Sequence, residues 1–187
     1  IRGGFRSKKK EDVLEEAQYL AEAGVKELIL IAEDLTNYGT DLYRDYRLAD
    51  LLRQLVKVDG IEWIRLMYCY EDRITDDLIN VMATEPKICH YIDVPIQHSS
   101  DKVLKEMRRR STGKSIRTTL KKLREAMPDI SIRTTLIVGF PGETEEQFEF
   151  IKSIGDSAVF VDDESIIKLH IHTNDPGAVL TRAIEFG

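Results

Sequence analysis

The strongest constraint on this chain is a rhythm. Stretches with apolar residues three and four apart alternate with short apolar runs bounded by Gly, Pro or acidic residues. Residues 11–23 place Val13, Leu14, Ala17, Leu20 and Ala21 at helical spacing, and Gly24 follows where a helix stops. Residues 26–32 (KELILIA) read as a buried strand. The pattern then predicts a helix over 47–58, a strand over 62–68 and a helix over 75–83 with Thr75 as its cap. A strand over 90–94 ends at Pro95, helices follow over 100–107 and 113–127, and a β-branched strand covers 130–138. A helix over 144–154 closes the series at Gly155. Strands joined through helices are parallel, and such sheets carry their chemistry at the carboxyl ends of the strands. Those ends are Glu33-Asp34, the stretch after Tyr68, Gln97-His98 and the Gly139–Gly142 turn.

The last forty residues behave differently. Residues 157–161 and 165–172 are two strands separated only by Asp162-Asp163-Glu164, too short a link for a crossover helix. They predict an antiparallel hairpin. A final helix over 176–186 has Asp175 as N-cap and Pro176 in its first turn. The expected fold class is therefore α/β: a partial (β/α) barrel of mainly parallel strands, completed by a C-terminal antiparallel β-hairpin and helix. The expected division is 1–148 and 149–187, the second segment packed on the same sheet. The opened edge of such a barrel favours homo-oligomers or domain swapping.

Composition narrows the partners. Lys and Arg total 27 against 33 Asp and Glu, a net charge of −6, so no general nucleic-acid binding is expected. No apolar run approaches the roughly 18 residues of a membrane helix, and no secretory leader is visible. The chain opens without Met and reads as the cut edge of something longer. Two scattered cysteines, Cys69 and Cys89, fit a reducing cytoplasm and small apolar packing roles.

Several residues could carry chemistry. The Gly139-Phe140-Pro141-Gly142-Glu143 turn follows a strand and opens a helix, which suits an anion or a purine edge, though any strand-to-helix turn uses Gly and Pro. Gln97 and His98 follow Pro95 at a strand end, where His is a base, a substrate contact or a packing residue. Glu33 and Asp34 are adjacent, so on a strand they point to opposite faces and need not be a catalytic dyad. Arg108-Arg109-Arg110, Lys114, Arg117, Lys121, Lys122 and Arg124 form a basic stretch that steers phosphate or an RNA-rich target, or is simply a solvated face. His170 and His172 alternate on one strand face and are zinc candidates without an accompanying cysteine.

The segments IRGGFRS (residues 1–7), YGTDLY (38–43), YIDVPIQHSSDKVLKEM (91–107) and RTTLIVGFPGETEEQFE (133–149) together resemble the radical-SAM barrel of bacterial methylthiotransferases. The His98-Ser99-Ser100 variant and the opening segment are similar to the RimO-type branch, which modifies an aspartate of a small-subunit ribosomal protein. The resemblance implies S-adenosylmethionine and a [4Fe–4S] cluster as cofactors and a ribosomal protein as partner. It implies that Val138, Gly139 and Gly142 flank the adenine, that Arg133 meets the carboxylate or ribose hydroxyls, and that Gln97, His98 and Asp34 face the cofactor cavity. The cluster-binding CxxxCxxC of the family would lie upstream of residue 1, and Cys69 and Cys89 do not replace it. Glu33 stands where the family commonly has Gln, Leu35 where a hydroxyl residue is usual, and Glu71 where Pro is frequent.

Residues 155–187 instead resemble the middle domain of fatty-acid-kinase subunits, through the hairpin and the HIHTNDPG run (170–177). The first reading is thus a folded, engineered chimera with no catalytic activity, no catalytic residues and no cofactor of its own. The alternative is a piece of a radical-SAM methylthiotransferase, which would cleave S-adenosylmethionine reductively and install a methylthio group on an aspartate. A third is a weak S-adenosylmethionine-binding module.

Overall fold

The structure is a computed structural model, and it describes residues 3–138, 140–144, 159–163 and 166–170. Its elements are α1 (Lys10–Glu22), β1 (Glu27–Leu30), α2 (Thr40–Tyr43), α3 (Leu48–Leu55), β2 (Trp63–Leu66), α4 (Asp76–Thr84), β3 (Ile88–Asp93), α5 (Asp101–Glu106), α6 (Gly113–Ala126), β4 (Ser131–Arg133), β5 (Leu136–Val138), β6 (Val159–Asp163) and β7 (Ile166–His170). The strand order is β1-β2-β3-β4 in one sheet and β5-β7-β6 in the other. β1 pairs with β2, and β2 with β3, in parallel. β6 and β7 are an antiparallel pair, and β7 is also antiparallel to β5. This is the expected α/β class, mainly parallel with an antiparallel hairpin. The expected helix over 144–154, from residue 145 onward, and the expected helix over 176–186 lie outside the described residues.

By internal packing the chain divides into two units, residues 1–69 with 73–92, and residues 70–72 with 93–187. In the first, α3 brings Leu48, Leu51, Leu52 and Leu55 onto one face, and all four are buried. With Leu28, Ile64, Leu66, Leu78, Val81 and Met82 they form its core. Each such side chain contributes about 1.5–3 kcal/mol on burial. β1 departs from its expected burial on both faces. Leu28 is buried, but Ile29 is 55 % exposed and Ile31 64 %. β1 stands at the end of the strand order, and Ile29 shares its uncovered face with Trp63, itself 52 % exposed.

The loops after β1 and β2 are tied by hydrogen bonds that no periodicity reveals. The Leu35 N–H donates to the Tyr68 carbonyl at 2.9 Å. The Ser7 N–H donates to Asp41 Oδ2 at 2.8 Å, and the Gly39 N–H donates to Ser7 Oγ at 2.9 Å. Two of the motif segments, around Ser7 and around Tyr38–Asp41, therefore clasp each other. The Ser7 hydroxyl first, and then the Ser7 N–H, hold the Asp41 carboxyl below its ordinary range. Gly39 sits at φ +90°, and a Cβ there would lie 2.7 Å from Arg47 Cβ, so only glycine fits.

Tyr38 lines an apolar cavity of about 490 Å³ beside Val13, Leu20, Leu35 and Leu51. Its hydroxyl is buried without a hydrogen-bond partner among the described residues, and burial pushes its pKa up to about 12. A buried, unsatisfied hydroxyl costs stability. Tyr38→Phe should therefore raise the unfolding free energy, by about 1 kcal/mol, in denaturant titrations near neutral pH. A loss of stability would mean that the hydroxyl has a partner after all.

Arg53 of α3 meets Asp77 of α4 with two hydrogen bonds, one of them 3.0 Å long. Chiefly through this bond, Arg53 holds the Asp77 carboxyl below its ordinary value of 3.8. A lowered carboxyl pKa stabilises the fold above the unfolded value and ceases to do so as pH falls through the folded one. The pair is largely exposed, so its contribution is under about 1 kcal/mol and is screened by salt. Asp77→Asn should cost that little near neutral pH, and wild type and variant should converge in acid below the carboxylate range. A difference that persists in acid would assign the effect to packing.

Candidate functional site

The second unit builds its site where β3 runs out. Beyond Asp93 the chain continues beside β4 and β5: the Val94 N–H donates to the Arg133 carbonyl at 2.8 Å, the Gln97 N–H to the Thr135 carbonyl at 2.9 Å, and the Ile137 N–H to the Gln97 carbonyl at 2.7 Å. Pro95 has no N–H to offer between them. At that level the buried Thr134 hydroxyl donates to the Val94 carbonyl at 2.8 Å and accepts the Ile96 N–H at 3.3 Å. A side chain here takes over main-chain bonds. That is why the single strand expected over 130–138 is broken into β4 and β5.

Gln97 then turns sharply. Its φ is +69°, and the His98 N–H bonds back to the Ile96 carbonyl at 2.9 Å, a three-residue γ-turn. A non-glycine residue so held costs about 1–3 kcal/mol, and such residues cluster at functional sites. His98 is buried with both ring nitrogens engaged. Nδ1 accepts the Ser100 N–H at 3.0 Å, and Nε2 lies 3.3 Å from Glu143 Oε1. With Nδ1 accepting, the proton of the neutral ring sits on Nε2 and points at Glu143. His98 is thus a packing and linking residue in this structure.

The Phe140–Glu143 turn differs from its sequence reading. Gly142 has φ +96°, and the Glu143 N–H donates to the Phe140 carbonyl at 2.9 Å, the geometry of a type II turn. The Phe140 N–H, expected to await an anion, donates to Glu143 Oε2 at 3.2 Å. The turn is closed by its own carboxylate, which also holds His98.

Of the other candidates, Arg133 Nη1 lies 3.5 Å from Oδ1 of the buried Asp93. Val138 pairs through its backbone with Ile167. Gly139 and His172 lie outside the described residues, and His170 ends β7 opposite Val159. Asp34 belongs to the first unit, where it accepts the Thr36 hydroxyl at 2.5 Å and is ion-paired with Arg73. Its neighbour Glu33 is exposed while Asp34 is buried, as opposite faces require.

Two residues were not legible beforehand. Arg109, counted with the solvated basic stretch, stacks 4.4 Å over the Tyr70 ring and donates to the Pro95 carbonyl. Glu71, noted only as a departure from Pro, is buried and accepts the hydroxyls of Ser111 and of Ser115, the latter at 2.7 Å. It fixes the start of α6, where Thr112 and Ser115 form a reciprocal cap. Among the described residues, no group of three or more His, Cys, Asp or Glu is arranged to hold a metal, and no helix is long and apolar enough to cross a membrane.

The His98–Glu143 contact joins segments 45 residues apart and is fully enclosed. A double-mutant cycle with His98→Ala and Glu143→Ala should show a coupling of about 1–2 kcal/mol in unfolding free energy. Additive effects would make the contact incidental.

Comparison with known proteins identifies the family. Residues 1–153 match the Radical SAM superfamily, and residues 134–187 match the FakA-like middle domain of fatty acid kinase. Proteins called ribosomal protein uS12 methylthiotransferase RimO are similar in sequence. The one from Lachnoclostridium phytofermentans is 56% identical over 152 residues, 81% of this chain and 34% of its own length. The one from Desulfitobacterium hafniense is 52% identical over 158 residues, 82% of this chain and 36% of its own. The one from Alkaliphilus oremlandii is 48% identical over 184 residues, 98% of this chain and 42% of its own. The chain thus spans between a third and a half of the length of these relatives. These findings favour the methylthiotransferase reading over the inactive, engineered chimera, for which they offer no support. The chain belongs to the radical SAM superfamily.

Proposed function

We propose that this chain is part of a methylthiotransferase that acts on an aspartate of ribosomal protein uS12. The observation that carries the proposal is the 48–56% identity to three relatives of that one name. In this reading Gln97, Arg133, Val138, Gly139 and Gly142 form the S-adenosylmethionine side of the site. The chemistry of the second unit suits such a ligand. Arg133 brings a cation for its carboxylate, and Gln97 presents an amide with no partner among the described residues. When bound, S-adenosylmethionine supplies a sulfonium with activated carbon–sulfur bonds. The chain's own part is to orient it: the Gln97 γ-turn fixes the strand end, and His98 and Glu143 hold the glycine turn against it. The iron–sulfur cluster is a different matter. Two cysteines, one of them fully buried, are fewer than the thiolates such a cluster takes, so these residues do not by themselves make its ligand set.

A second observation bears on residues 149–187. The match of 134–187 to the kinase middle domain supports reading this segment as drawn from a second family, while the Alkaliphilus relative, aligned over 98% of this chain, favours one family throughout.

The test is a hybrid. The matching stretch of the full-length Desulfitobacterium relative is replaced by this chain, and a uS12 aspartate peptide is assayed by mass spectrometry. Methylthiolated peptide should form, and Arg133→Ala should lower its yield by about tenfold or more. A folded, cluster-loaded hybrid that makes no product would overturn the proposal.

A further inference from the structure

The second unit carries a polar cavity of about 390 Å³ between the start of α5 and the start of α6. Its floor is Ser99 and Ser100, each at least nine-tenths buried. Neither hydroxyl has a hydrogen-bond partner among the described residues, and Ser100 precedes α5 without capping it. Around the rim stand Lys102, Lys114 and Arg117, none of them in an ion pair among the described residues. The one carboxylate in the lining, Asp101, is turned to the Gly113 N–H at 2.6 Å. The lining therefore carries three cations against one anion. α6 is 14 residues long and adds its positive end, where the Lys114 N–H has no acceptor among the described residues. Farther along the same helix Lys121 has an acidic neighbour, Glu125, at 3.7 Å. The basic stretch is thus not a uniform solvated face; two of its cations, Lys114 and Arg117, line a cavity together with the buried residues Ser99 and Ser100.

We propose that this cavity is a phosphate site. Ser99 and Ser100 would donate to two phosphate oxygens, the Lys114 amide to a third, and Lys114 and Arg117 would neutralise the charge, with Lys102 at the mouth. Hydroxyls, a free helix-start amide and paired cations are the donor set that a tetrahedral oxyanion takes. The inference rests on this cavity alone and is independent of the methylthiotransferase reading. The phosphate belongs either to an RNA backbone or to a small phosphomonoester, and the two sources are separable.

The test is a titration of the isotope-labelled chain with inorganic phosphate at low ionic strength, followed by backbone amide resonances. Saturable shifts are expected at Ser99, Ser100 and Lys114. Ser99→Ala with Ser100→Ala should weaken binding roughly three- to tenfold, and Arg117→Gln about tenfold. Lys121→Gln, which removes the same charge outside the cavity, should leave it unchanged. Dispersed spectra and unchanged melting temperatures establish that the variants fold. Parallel titrations with a short single-stranded RNA and with uridine monophosphate identify the source. Tighter binding of RNA per phosphate, abolished by Arg117→Gln, points to the backbone diester, and preference for the nucleotide points to a monoester. Absence of saturable shifts at these three amides with any of the probes, or shifts untouched by the serine substitutions, overturns the site.

Discussion

One buried hydroxyl organises the second unit. Where Pro95 withholds an N–H, Thr134 reaches across and serves both the Val94 carbonyl and the Ile96 N–H. Without it, two main-chain groups would be buried unsatisfied beside a strand that is already interrupted. With it, the ladder resumes at Gln97, and the chain emerges in a fixed register. The γ-turn at Gln97, the orientation of His98 and the closure of the glycine turn by Glu143 all follow from that register. An apolar residue of similar size, such as valine, would fill the same space and satisfy neither group.

Much of the fold was legible because its signals are local. The spacing of Leu48, Leu51, Leu52 and Leu55, the Thr75 cap and the glycine after α1 each report on a handful of neighbouring residues. The hairpin was legible for the same reason, although its strands run through Asp162 and Asp163 rather than stopping before them. What stayed hidden is what depends on distant partners. Apolar content marked β1 as buried, yet coverage is set by its place at the end of the sheet. β-Branched content marked residues 130–138 as one strand, yet the break is set by Pro95 across the ladder.

The candidate site divides along the same line. Gln97, His98 and the glycine turn were identified from their position at strand ends, a rule of topology. The pairing of His98 with Glu143 could not be seen, because nothing in either segment announces a partner 45 residues away. Glu71 was noticed only as an unusual residue. Its partners, two serines forty and forty-four residues on, show an acid used to anchor a helix rather than to meet a ligand.

The clasp between Ser7 and the Gly39–Asp41 segment has a mechanical consequence. Two main-chain donors, the Ser7 N–H and the Gly39 N–H, are spent on joining residues more than thirty positions apart. A pull on the chain ahead of Ser7 is therefore not borne by α1 alone. Part of the load passes through the clasp into the loop that leads to α3, whose leucines Leu48, Leu51, Leu52 and Leu55 are all buried in the core of the first unit. The opening segment behaves as a guy-line anchored in the core, and its hydrogen bonds, short and few, would be the first element to yield under tension.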